Sequence, residues 1–124
     1  MKQLLAIAAG GALGAVMRWY VAAWIQRLSG SAFPWGTLTV NVLGSFLLGF
    51  LFVWLLERVT VGEITRLAIT VGFLGAFTTF STFSVETARL LETGSFTMAL
   101  VNVLAQVLIC VCVAWVGMQW ARLW

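Results

Sequence analysis

The chain has 124 residues, of which 62% are hydrophobic and 9% charged, against roughly half and a quarter in soluble domains. At a mean hydropathy of +1.05, so few charges cannot cover so much apolar surface in water, and lipid is the solvent for most of the chain. With no His, no Asp and a net charge of only +3, one chain cannot build a His-based metal site or a Ser-His-Asp triad, does not read as an enzyme, and carries no nucleic-acid footprint.

Crossing a bilayer takes about 20 mainly apolar residues, and four stretches qualify. The first runs from Leu4 to Ile25 and is interrupted by Arg18. Its start imitates a secretory signal, but the apolar run resumes after Arg18 and the whole is span length. Gly10 and Gly14 make a small-xxx-small pair, as Ser45 and Gly49 do later. Such pairs serve close helix packing in lipid, either inside one chain or between two. A loop with Ser29, Gly30 and Pro34 follows.

The second span runs from Leu38 to Leu56, with Thr39, Asn41 and Ser45 as its polar members. An amide in hydrocarbon needs a partner. Asn41 is therefore either a packing bond to a neighbouring helix or a donor for an anion. A charged loop from Glu57 to Arg66 leads to the third span, Leu67 to about Val85. Its middle, Gly72-Phe-Leu-Gly75-Ala-Phe77-Thr78-Thr79-Phe80-Ser81-Thr82-Phe83-Ser84, is crowded with glycines and hydroxyls. Gly weakens a helix and Ser/Thr back-bonding bends it, and a break here would free carbonyls able to take a hard cation such as Na⁺. Phe77, Phe80 and Phe83 recur every third residue. They form either an aromatic packing ridge or a row of positive ring edges that attracts a small anion without a formal charge.

After the turn Glu92-Thr93-Gly94-Ser95 comes the fourth span, Phe96 to Trp120. Asn102, Gln106 and Cys110 stand at i, i+4 and i+8 on one face, as a polar track or a polar helix interface. Cys110 and Cys112 point to different faces and read as buried thiols rather than a disulfide. All seven Trp lie near span ends, at headgroup level. The chain reads as one all-helical membrane domain over residues 1–124.

Four spans put both termini on one side. That side holds Lys2, Arg58, Arg66 and Arg122, against Arg27 and Arg89 on the other, or three with Arg18. So slight a bias barely fixes orientation. It fits either a weakly biased protein or dual topology, in which copies insert both ways and pair antiparallel.

The sequence resembles the small bacterial fluoride channels of the Fluc family, also called CrcB proteins, over nearly its whole length. The resemblance rests on Gly10-Gly-Ala-Leu-Gly14-Ala-Val-Met-Arg18-Trp-Tyr20, on Gly36-Thr37…Asn41…Gly44…Gly49, and on Gly72-Phe-Leu-Gly75…Thr78-Thr-Phe80-Ser-Thr-Phe83. It implies a multi-pass protein of the bacterial inner membrane. It also implies a dual-topology antiparallel homodimer with two pores that export fluoride passively, and a third helix broken mid-membrane. Phe80 and Phe83 match pore rings, Asn41 the pore amide, and Ser81 and Thr82 the hydroxyls of the break. Gly75 and Thr78 match the carbonyls that hold a structural Na⁺ at the dimer centre. Arg18 matches a vestibule arginine, with Thr37 and Glu86 near pore mouths. Asn102, Gln106 and Cys110 fall on the fourth-span track, where two amides and a thiol replace hydroxyls. Two rivals stand beside this. A small multidrug exporter needs an acid in its first span, and this one has none. A purely structural subunit leaves the broken span and the polar stripe without a role.

Overall fold

The computed structural model describes the backbone of residues 1–124 and every side chain but that of Arg58. Arg58 is one of the charges in the orientation count, and its side chain lies outside the described residues. All regular structure among them is helical. Helix α1 (Lys2–Ser29) is followed by α2 (Trp35–Val53), which a π-helical turn prolongs over Trp54–Arg58. The third span is composite: α3 (Glu63–Leu67), a π-helical stretch Ala68–Leu74, α4 (Gly75–Phe77) and α5 (Phe80–Glu92). Helix α6 (Phe96–Leu123) closes the chain. Four segments are long and apolar enough to cross a membrane: Lys2–Ser29, Trp35–Glu57, Glu63–Glu92 and Phe96–Leu123. They correspond to the four expected spans, each longer than its apolar run because the polar ends stay helical.

Turn chemistry sets the ends. α1 stops at Gly30, whose left-handed φ of 56° is the usual C-terminal signal. Gly94, at φ 76°, closes the α5–α6 turn, where the Ser95 N–H returns to the Leu90 carbonyl at 2.8 Å. The loop between α1 and α2 is latched by Gln26. Its Nε2 donates to the Ser31 and Phe33 carbonyls (2.8 and 3.1 Å), and its Oε1 accepts from the Gly36 N–H (3.1 Å).

Burial runs opposite to that of a soluble bundle. On α6 the buried residues are Ala99, Asn102, Gln106, Gly117 and Ala121, while Leu100, Leu104, Val107, Leu108 and Val111 are exposed. Gly14 is the single buried residue of α1. An apolar outer face around a small or polar interior suits lipid, where close backbone approach drives helix association. α2 packs chiefly on α6, and α1 chiefly on the stretch Ala68–Leu74.

The small residues make these contacts. A Cβ at Gly10 would collide with the Ala68 carbonyl, one at Gly14 with the Phe73 carbonyl, and one at Gly49 with the Ala114 carbonyl. The choice between internal and intersubunit packing is thus decided as internal for these three glycines. Ser45 instead lines a cavity beside the helix interruption. Both cysteines are free, and Cys110 is half-buried. Cys112 is exposed rather than buried, because its face of α6 looks outward; that part of the thiol reading is corrected.

Candidate functional site

Between Phe77 and Phe80 the chain leaves the helix. Thr78 (φ −89°, ψ 159°) and Thr79 (φ −153°, ψ 119°) are both extended. In an unbroken α-helix the Thr79 N–H would bond the Gly75 carbonyl. Here it donates to Asn41 Oδ1 at 2.8 Å, and the Thr79 carbonyl accepts from Asn41 Nδ2 at 2.9 Å. One amide thus satisfies both backbone groups of an extended residue that the helix abandons, as buried backbone groups require. Gly44, one turn along α2 from Asn41, leaves room for the Thr78 side chain and the Phe77 ring.

Asn41 Nδ2 also donates to Gln106 Oε1 at 3.0 Å, and the Cys110 thiol sits 4.0 Å from the same oxygen. Thr79 then caps α5. Its hydroxyl accepts from the Thr82 N–H (3.2 Å), donates to Thr82 Oγ1 (3.0 Å), and lies 3.3 Å from Ser81 Oγ.

Two cavities meet at Thr79. The first, about 370 Å³, is a cleft bordered by Arg18, Gln26, Thr37, Thr79, Thr82 and Glu86. The structure therefore gathers all three expected vestibule residues. Thr37 Oγ1 donates to Glu86 Oε1 at 2.7 Å, Glu86 Oε2 is buried without a partner, and Arg18 Nη1 reaches the Thr78 carbonyl at 3.5 Å.

The second cavity, about 330 Å³, is bordered by Asn41, Thr78, Phe80, Phe83, Gln106 and Cys110 among others, and no formally charged residue lines it. Phe80 and Phe83 lie edge to face across 5.3 Å at 66°. They differ sharply in setting: Phe83 is 7% exposed and Phe80 77%. Ser81, Thr82 and Gly75 are exposed too.

The fourth-span stripe is divided. Gln106 and Cys110 border the second cavity, whereas Asn102 does not. Asn102 is fully buried and donates to Thr87 Oγ1 at 2.9 Å; Thr87 in turn donates to the Phe83 carbonyl at 2.8 Å. Thr79, Thr87 and Gln26 are not among the site residues expected from the sequence, and Ser45 is expected only as a polar member of the second span and a packing residue. Thr79 carried a usable signal, a Thr three residues before Thr82 at a helix start. Among the described residues no three His, Cys, Asp or Glu side chains gather.

Residues 5–118 match the family model described as "CrcB-like protein, Camphor Resistance (CrcB)". The chain belongs to the CrcB family. It is 49% identical over 122 residues to the fluoride-specific ion channel FluC of Geobacter metallireducens, and 50% identical over 122 residues to that of Geobacter sulfurreducens; both matches cover 98% of each chain. The FluC of Methylococcus capsulatus is 50% identical over 119 residues, which is 96% of this chain and 52% of that longer one. These CrcB relatives are named as ion channels, not enzymes, in keeping with a chain that has no His and no Asp.

Proposed function

We propose that this chain passes fluoride passively through the bacterial inner membrane; its relatives are named fluoride-specific ion channels. The observation that carries the reading is the second cavity, walled by the rings of Phe80 and Phe83, two side-chain amides and a thiol, with no formal charge. Transfer of a bare anion into hydrocarbon is prohibitive by a Born estimate, tens of kcal/mol. A series of weak donors and positive ring edges replaces hydration without trapping the ion, which conduction requires.

The reading includes an antiparallel pair of chains. Phe80, Ser81, Thr82 and Gly75 lie open on the surface of one chain although the neighbouring Phe83 is buried. A second copy would cover them and complete two pathways. It also includes a structural Na⁺. The Gly75 carbonyl loses the Thr79 N–H to Asn41, and among the described residues the Thr78 carbonyl receives only the long Arg18 contact. Two such oxygens per chain, doubled by a partner, fit a monovalent cation better than Ca²⁺, which takes six to eight oxygens. One arginine beside them, Arg18, is the feature that fits a cation least.

The test is efflux from vesicles holding purified protein and loaded with fluoride, chloride or a cationic dye. Fluoride alone should leave. Phe80→Ile and Phe83→Ile keep apolar bulk but remove the ring quadrupole, and fluoride flux should fall steeply in at least one of them while the assembly stays intact. Near-normal flux in both sinks the role given to the rings, and dye export would assign the chain to the exporter class instead.

A further inference from the structure

We propose that the amide facing the anion is Gln106, and that Asn41 is a positioning residue which aims it. The proposal rests on the fluoride reading above and assigns atoms within it.

The argument starts from backbone, whose polarity is fixed. A peptide N–H only donates and a carbonyl only accepts, while the two ends of a side-chain amide are told apart by their partners. The Thr79 N–H points at one end of Asn41, which must be Oδ1, and the Thr79 carbonyl takes the other, which must be Nδ2. That nitrogen is also 3.0 Å from Gln106, so the Gln106 atom it meets must be an acceptor, Oε1. The Cys110 thiol, next to the same oxygen, agrees with this. The Gln106 amide is therefore locked with Nε2 turned away from Asn41.

Nε2 is buried and has no partner, although Gln106 as a whole is only 6% exposed. Each Nε2 carries two donors, and leaving such a group dry is costly. Gln106 borders the same cavity as Phe80 and Phe83. Asn41 borders it as well, but both of its donors are already engaged, one with Thr79 and one with Gln106. Among the side-chain amides described at that cavity, the free donors are those of Gln106. A compact anion that accepts strongly, fluoride above chloride, is the ligand such a pair of N–H groups suits beside positive ring edges.

The chain has two Asn, at 41 and 102, and four Gln, at 3, 26, 106 and 119, so side-chain amide NMR of the full protein in lipid nanodiscs is readable. Sodium fluoride is titrated against sodium chloride, with Gln106→Met assigning the Gln106 signal. The expected result is a fluoride-specific downfield shift of a Gln106 Nε2 proton with Asn41 unmoved. Gln106→Met should cut fluoride efflux about ten- to a hundred-fold, the weight of one hydrogen bond to a charged group. Asn41→Asp keeps the acceptor for Thr79 and loses the donor to Gln106, and Asn41→Leu loses that donor without adding a charge. Both should abolish the fluoride shift of Gln106 while the assembly stays intact; a shift retained in Asn41→Leu overturns the positioning role. Shifts on Asn41 without shifts on Gln106 overturn the assignment. So does the absence of any shift in protein that still passes fluoride from vesicles, an outcome that leaves the channel reading standing. No shift together with no fluoride efflux overturns both.

Discussion

Replacing Asn41 by leucine isolates what one amide contributes where the helix gives way at Thr78 and Thr79. The two side chains are close in size, so Asn41→Leu leaves little cavity and chiefly removes hydrogen bonds. Three are lost: Thr79 N–H to Oδ1, and Nδ2 to the Thr79 carbonyl and to Gln106 Oε1. Hydrogen bonds in membrane proteins average about 0.6 kcal/mol each, which sets the loss near 2 kcal/mol. If no neighbour re-satisfies the Thr79 peptide, the cost of dry backbone groups raises it to about 5 kcal/mol. Unfolding by SDS in mixed micelles, followed through the fluorescence of the seven Trp, measures the difference. Amide exchange at Thr79 should accelerate in parallel, since its N–H has no other acceptor among the contacts described. A change below about 0.5 kcal/mol, within the range of an ordinary surface substitution, would refute the view that Asn41 holds the interruption in place.

Gly14→Ala sets a Cβ against the Phe73 carbonyl and should destabilise by about 1–3 kcal/mol through overpacking; Gly62→Ala, where a Cβ meets open space, should stay within about 0.5 kcal/mol in the same SDS titration. Gln26→Leu removes the three bonds that latch the α1–α2 loop. It should raise hydrogen exchange and protease cutting around residues 30–34 while costing about 1–3 kcal/mol overall, and unchanged exchange there would show that Pro34 and the buried Phe33 suffice.

The four spans were legible because hydropathy over twenty residues is a long signal, and so was the irregularity of the third, since Gly and hydroxyl crowding is local chemistry. The ends were less so. Glu86, Thr87 and Arg89 end the apolar run, yet α5 continues through Glu92, with Thr87 held from α6 by Asn102. The period of four gathered Asn102, Gln106 and Cys110 onto one face of α6, but it cannot say what faces them: Gln106 and Cys110 meet the cavity and Asn102 meets α5. Asn41 stood open between packing and anion binding. Only the position of Thr79, brought next to it from 38 residues away, reveals that its hydrogen-bonding capacity is taken. Gln26 gave no signal at all, because a polar residue near a span end is ordinary.

The inside-out burial of α6 bears on how the chain drifts over generations. Leu100, Leu104 and Leu108 lie on the exposed face of α6, and Leu, Ile, Val and Phe are near-equivalent toward lipid tails in insertion free energy. Their identities are interchangeable, and a saturating substitution scan should find them so as long as no charge is introduced. The constrained letters are the modest ones, Ala99, Gly117 and Ala121, each hidden where a larger side chain has nowhere to go. In such a protein the large hydrophobic residues record little history, and its smallest ones carry the most.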